Sequence, residues 1–479
     1  MSLTQLLIFL GIALGFRLAL SLRPAAEGGR GWFLLTVSAL AVFWLQPAMP
    51  IRNLDFWLPL ATLGLAVWGW IFTTPREARG GRENYTALGV LAGVVLAVAL
   101  TRFVSLEGVI TPSRPPQLGL VAAGLVVLAG VSAVWLRFSS PQSRWLSAGM
   151  AALLLLFLAI KVPVLAEGVS AGLRTLVGQS AARAAASDLR WLGFSYIAFR
   201  LIHTLRDRQT GRLPLVNLRE YVVYALFFPA LTAGPIDRLE RFIKDLRRPL
   251  EALSVDLMAA GPRLAMGLLK KFVLADSLAM AALGPQNAAQ LQSTGWAWVA
   301  LYAYSLQIFL DFSGYTDLAI GLGRLFGIQL PENFNAPYLK PNLTQFWNNW
   351  HMTLTQWFRA YFFNPLTRSL RSAKPPLAIP WVILITQLST MVLIGLWHGV
   401  TWNFVLWGVW HGLGIFVQNR YSDWAKPLAA RLEERPRLKA LAQGGGVLLT
   451  FHFVSLGWVW FALPTAADAL RVFRVLLGL

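Results

Sequence analysis

Long apolar stretches, separated by short clusters rich in proline, glycine and arginine, set the pattern of this chain. A helix that crosses a bilayer needs roughly 20 mostly apolar residues. Runs of that kind lie near residues 3–22, 31–49, 54–73, 87–104, 118–136 and 145–165, with punctuation at 23–30, 75–84, 112–116 and 138–144. Residues 167–187 are rich in alanine and glycine with isolated arginines, and read as a segment lying on the surface. The second half is less regular. A short run at 189–205 carries Arg200 and His203, and the apolar stretch 221–233 stops at Gly234 and Pro235. Residues 236–248 set charges against Leu239, Phe242, Ile243 and Leu246, an interfacial amphipathic pattern. Apolar runs resume near 257–283, 296–312, 377–397, 402–417 and 447–463. Between 328 and 374 no clean span exists, yet tryptophans and side-chain amides are dense there. Polar or non-helical backbone at membrane depth survives when protein buries it or when it lines a wet cavity. Chemistry is therefore expected within 311–412. The pattern predicts an all-α, polytopic integral membrane protein of roughly 11–13 transmembrane helices, with re-entrant and interfacial helices around a central tunnel.

Composition agrees. Of 479 residues, 56% are apolar, and 42 basic plus 22 acidic residues make only 13% charged, against about 25% in soluble domains. A single aqueous core cannot bury so much apolar surface. A secreted miniprotein, a disordered chain and a nucleic-acid module are excluded, the last despite a net charge of +20. Basic residues are retained in cytoplasmic loops, which explains that charge. Arg23, Arg30, Arg76, Arg79, Arg82, Arg137, Arg144, Arg206, Arg208, Arg212 and Arg219 fall in one set of alternate loops; Arg52, Arg114, Arg174 and Arg183 fall in the other. The larger set predicts a cytoplasmic face and an N-terminus outside. With no cysteine, disulfides, a thiolate nucleophile, Cys-ligated zinc and iron–sulfur clusters are excluded. The first 22 residues have no basic leader and no small-residue cleavage site, so the first run is expected to stay as a span.

Five histidines are present: His203, His351, His398, His411 and His452. Among apolar residues a histidine is costly unless paired or functional, and it moves protons near neutral pH. At helical spacing Trp347, Trp350, Leu354, Trp357 and Tyr361 form an aromatic stripe, while Asn348, His351, Thr355 and Arg359 form the polar stripe beside it. Such a helix could lie at the headgroups; its polar stripe of amides and hydroxyls suits a cavity wall better. His398 ends an apolar run in Gly395-Leu-Trp-His-Gly-Val-Thr-Trp-Asn403, where Gly399 permits a break and Thr401 or Asn403 could cap the next helix. It could equally bond a carbonyl freed by that break. His411 reads as structural or as support for the site, and His203 and His452 as structural. Asp311 and Asp317 follow an apolar helix; such carboxylates mark ion paths or pin a helix break through Ser313, Tyr315 or backbone amides, and the structural reading is preferred. Gly321-Leu-Gly-Arg-Leu-Phe-Gly327 has the spacing of a dinucleotide loop but no preceding strand. No metal-ligand spacing joins any two histidines, and no GxSxG hydrolase elbow occurs.

Several long motifs, in one order, resemble the membrane-bound O-acyltransferase family, and most of all its bacterial cell-envelope branch. They are Gly193-Phe-Ser-Tyr196, Phe228-Pro-Ala-Leu-Thr-Ala-Gly-Pro-Ile236, Gly267-Leu-Leu-Lys-Lys-Phe-Val273 and Asp311-Phe-Ser-Gly-Tyr-Thr-Asp317. After them come Pro331-Glu-Asn-Phe-Asn-Ala-Pro337, Trp347-Asn-Asn-Trp-His-Met352 with Trp357-Phe-Arg359, and Gly395-Leu-Trp-His-Gly399. The resemblance covers about 189–414 and suggests three regions: N-terminal helices and a surface segment at 1–188, a catalytic core at 189–414, and a C-terminal loop and last helix at 415–479. The family's paired histidines map onto His351 and His398. The chain departs from the family at Ala360, where an aspartate is common, and at Asn348 and Asn349, where basic residues are common.

The resemblance implies transfer of an acyl group, acetyl in the first place, from a cytoplasmic thioester such as acetyl-CoA to a hydroxyl beyond the inner membrane of a bacterium. The acceptor would be an envelope polysaccharide or a partner protein, and a hydrolase-like acyltransferase outside the membrane is the expected partner. No tightly bound cofactor and no nucleic acid is implied; membrane lipids are the remaining partner. Burial disfavours the charged imidazole, so a buried histidine can accept a proton. That role is expected of His398, with His351 orienting the acceptor or bonding the developing oxyanion, and Asn348 and Asn403 as candidate donors. Trp347, Thr355, Arg359 and Trp397 complete the expected substrate-binding set. Without cysteine, direct transfer is favoured, and a Ser or His acyl intermediate stays open. Arg206, Arg208, Arg212, Lys270 and Lys271 could attract a phosphate-rich donor or simply follow the positive-inside bias. A transporter or flippase of a lipid-linked sugar, using Arg200, Asp311 and Asp317, is the alternative; it should show internal repeats, and none is seen.

Overall fold

The computed structural model describes residues 2–22, 28–104, 106–138 and 143–479. Among these the fold is helical, and the one extended pairing is an isolated bridge between Glu107 and Thr111. Seven helices among the described residues are long and apolar enough to cross a membrane: Leu3–Leu20, Leu54–Thr73, Arg82–Phe103, Leu118–Trp135, Ser143–Lys161, Ile379–His398 and Pro436–Ala462. Each coincides with an apolar run read from the sequence. Large apolar side chains on them face outward, Val126 at 69% and Leu155 at 66% exposure, as lipid-facing positions do. Other predicted runs belong to helices that are shorter or carry charge. Residues 31–49 give the 15-residue Arg30–Trp44, and 296–312 lies within the 32-residue Thr294–Leu325, which holds Asp311 and Asp317. Arg23 and the side chain of Arg137, both used for orientation, fall outside the described residues.

The chain forms two compact units, residues 1–262 with 319–330, and residues 263–318 with 331–479. This division cuts across the three regions suggested by the resemblance.

In the first unit the apolar stretch 221–233 is not one helix. A capping box, in which Asn217 Oδ1 accepts from the Glu220 N–H (2.8 Å) and Glu220 Oε2 from the Asn217 N–H (3.1 Å), starts the helix Leu218–Ala225. It ends before Pro229, and a single tight turn Phe228–Ala230 follows. The carbonyls released by this break are met by buried Arg200, which donates to Ala225 O (2.9 Å) and Ala230 O (2.7 Å). A buried cation is tolerated where backbone dipoles replace its hydration. The segment read as surface-lying is the helix Pro163–Leu176 with two short turns, tied by Arg174 and Ser170 to the carboxylate of Asp188. Residues 236–248, read as amphipathic, contain the helix Leu239–Arg247, with Leu239, Phe242 and Ile243 buried.

The second unit is organised by a helix hairpin, Ile379–His398 and Trp402–Trp424. The two backbones meet because glycines face them: a Cβ at Gly408 would lie 2.6 Å from Met391 O. Between 331 and 371 the chain makes a turn at Pro337–Leu339, the short helix Leu343–Asn349 and then one helical run from Met352 to Arg371 that widens at Arg359–Phe363 and carries Arg359, Arg368 and Arg371. This matches the absence of a clean span there.

Candidate active site

The aromatic and polar stripes do not run along one helix. Asn342 caps Leu343–Asn349 through its Oδ1, which accepts from the Gln345 N–H at 2.9 Å. The helix stops at Trp350. His351 then takes the left-handed conformation (φ 42°, ψ 54°), and a second helix begins at Met352. For a histidine that backbone is strained by about 1–3 kcal/mol, and such strain concentrates at functional sites. The loop 331–336 supplies what holds it. Asn333 O accepts from the Met352 N–H (2.9 Å), and Asn349 O accepts from the Asn335 N–H (3.0 Å). Asn333 Oδ1 accepts from Thr353 twice, from its N–H (3.2 Å) and its hydroxyl (2.9 Å), and lies 3.1 Å from His351 Nδ1.

His351 is 2% exposed. Phe312 meets its ring edge-on at 4.7 Å, and its Nε2 has no hydrogen-bond partner among the described residues. Lying in the break and outside any spanning helix, it is held well below the ordinary imidazole pKa, first by burial and then by the neighbouring His398 imidazole, whose protonated form would repel a second charge. His398 is the last residue of Ile379–His398 and is half-buried. Its ring lies 4.8 Å from Phe461 and 4.6 Å from Trp397. Trp397 in turn stands 6.2 Å from His351. One indole therefore touches both imidazoles, and the expected pair is brought together.

The other predicted residues separate into two groups and an outlier. Trp347, Asn348, Thr355 and Arg359 line one cavity of about 180 Å³, together with Gln387 and Thr390. Arg359 donates to Asn348 Oδ1 at 2.6 Å, so Asn348 is held in place by the guanidinium. Neither histidine lines this cavity, and Trp397 stands with the histidines instead. Asn403 is the outlier. The position before its helix is Thr401, and the Asn403 amide donates to Leu463 O at 2.7 Å. The carbonyl at the end of a distant helix outbids any local use of that amide.

A second cavity, of about 480 Å³, adjoins the loop that holds His351; Met352, Asn335 and Glu332 line it together with Arg263, Lys270 and Asp317. Sequence reading left Arg263 out, and its signal was a cation seven residues before Lys270, on the same helical face. Asp317 is paired with Arg263 (2.6 Å) and Lys270 (2.8 Å), and Asp311 with Lys271. Both aspartates lie inside the helix Thr294–Leu325, so the helix break they were expected to pin is absent, and cations are their ion-pair partners. His411 is fully buried against Trp347 (5.1 Å) and Trp407 (4.9 Å), and His452 bonds the Tyr302 hydroxyl at 2.8 Å.

The sequence model of the membrane-bound O-acyltransferase family matches residues 140–456. A peptidoglycan O-acetyltransferase of Helicobacter pylori is 35% identical over 57% of this chain and 50% of its own length. A teichoic acid D-alanyltransferase of Streptococcus thermophilus is 32% identical over 58% of this chain and 69% of its own. An Azotobacter vinelandii protein named "Probable alginate O-acetylase" is 31% identical over 60% of this chain and 53% of its own. The chain spans about half the length of the first and third of these relatives.

Proposed function

Since this multi-pass membrane protein belongs to the membrane-bound O-acyltransferase family, we propose that it moves an acyl group from a thioester made in the cytoplasm to a hydroxyl on a cell-envelope polymer or partner protein. Acetyl is the first choice of group, with D-alanyl as the other chemistry that relatives' names carry. The bacterial inner membrane is the proposed location, and a hydrolase-like protein outside it the proposed partner.

One observation carries the reading: His351 and His398 share the Trp397 ring, and the more buried of the two keeps a ring nitrogen unpartnered. Acyl transfer to a hydroxyl needs a base, a stabiliser for the charge that develops on the thioester oxygen, and exclusion of water. Two imidazoles inside an aromatic shell can divide the first two tasks, and the shell provides the third. Asn348 and Arg359 line the cavity in which a substrate would be oriented, whereas Asn403 is committed elsewhere.

The test is transfer of label from radiolabelled acetyl-CoA to a glycan acceptor by the pure protein in lipid vesicles, compared with folded His351→Ala and His398→Ala. Loss of transfer in both supports the proposal. Full transfer by both removes the site, and movement of a lipid-linked sugar without label transfer supports a transporter.

A further inference from the structure

The hydrogen bonds around Asn333 decide which nitrogen of His351 is open. The Thr353 backbone N–H can only donate, and it points at the Asn333 side chain at 3.2 Å. The atom facing it is therefore the amide oxygen; turned round, the amide would set one N–H against another. The Thr353 hydroxyl reaches the same oxygen at 2.9 Å. An oxygen so placed can only accept, so His351 Nδ1, at 3.1 Å, must carry the proton. In the neutral ring Nε2 then bears the lone pair. It is buried and meets no donor among the described residues. The other end of the amide, Asn333 Nδ2, is also buried without a partner, a cost of about 1–3 kcal/mol that comes with setting the oxygen toward His351 and Thr353.

We infer that Asn333 is a positioning residue whose side-chain oxygen holds His351 in the Nδ1–H form, so that Nε2 takes the proton of the acceptor hydroxyl. A neutral ring in this form has no N–H at Nε2 to give to an oxyanion, which leaves that task to other groups, His398 among them. Proton acceptance passes to His351 from His398, to which sequence reading gave it. In the step, the hydroxyl oxygen bonds to the thioester carbonyl carbon as its proton moves to Nε2. Collapse of the adduct breaks the C–S bond, and the leaving thiolate takes the proton back from the imidazolium. The step rests on the acyl-transfer reading; the tautomer does not.

The experiment reads the tautomer directly. The full chain, labelled with ¹⁵N-histidine and placed in lipid vesicles, is studied by solid-state NMR at neutral pH, with the His351 signal identified by its loss in His351→Gln. The expected spectrum has a bonded proton on Nδ1 and a bare Nε2. Asn333→Asp, which keeps the acceptor oxygen, should preserve that signature and most of the transfer. Asn333→Leu should mix the tautomers and lower kcat roughly 10²-fold with KM little changed. A proton on Nε2 of the unaltered protein overturns the inference, as does unchanged kcat in folded Asn333→Leu. An Nδ1–H signature in a protein that transfers no acyl group overturns the functional reading and leaves the tautomer standing.

Discussion

His203 in the first unit and His351 in the second are both buried, 1% and 2% exposed, yet they are held differently. At His203 the Tyr224 hydroxyl donates to Asp237 O (2.9 Å), so its oxygen accepts from Nδ1 at 3.0 Å. The Leu239 N–H then closes on Nε2 at 3.5 Å, with the Asp207 carboxylate at the same distance. Nδ1 is engaged in both histidines. The difference lies at Nε2, covered in His203 and open in His351. Burial alone therefore does not separate these two histidines; what each meets at Nε2 does.

That contrast is broken most sharply by alanine. His351→Ala and His398→Ala should each lower kcat by roughly 10²–10⁴-fold, the range of general acid–base catalysis. His203→Ala should instead lower thermal stability by about 1–3 kcal/mol, the cost of leaving buried partners unpaired, with kcat of the folded fraction unchanged. Equal losses of kcat in all three would erase the distinction.

The ion pairs of the second unit come next. Asp317→Ala leaves Lys270 without its carboxylate and leaves Arg263 with Glu332 alone. Because both cations are partly exposed, at 35% and 23%, the loss should fall near about 3 kcal/mol, the low end for breaking a buried pair, read by thermal melting in detergent. Gly408→Val tests the hairpin that carries His398: a Cβ there meets Met391 O at 2.6 Å, and overpacking costs about 1–3 kcal/mol. The smallest effect should be Arg359→Ala. Its guanidinium is exposed and orients Asn348 in the cavity, so KM should rise by about threefold to tenfold with kcat little changed, the sign of lost uniform binding. A fall in kcat alone would move Arg359 from binding into the chemical step.

The apolar runs, and with them the seven long helices, were legible because a span is a local property: length and hydropathy decide it without reference to distant residues. The motifs around His351 and His398 likewise marked the region where chemistry should lie. Tertiary structure decided the rest, because hydrogen-bond and ion-pair partners are chosen across the fold. The helix predicted through His351 is broken by backbone bonds from a loop centred on Asn333, 18 residues upstream. The side chain of Asn403 is claimed by a carbonyl 60 residues away. The run 221–233 divides at a proline whose released carbonyls are met by Arg200. A sequence shows that such polar groups need partners; the folded chain alone shows which partners they find, and so which nitrogen stays open.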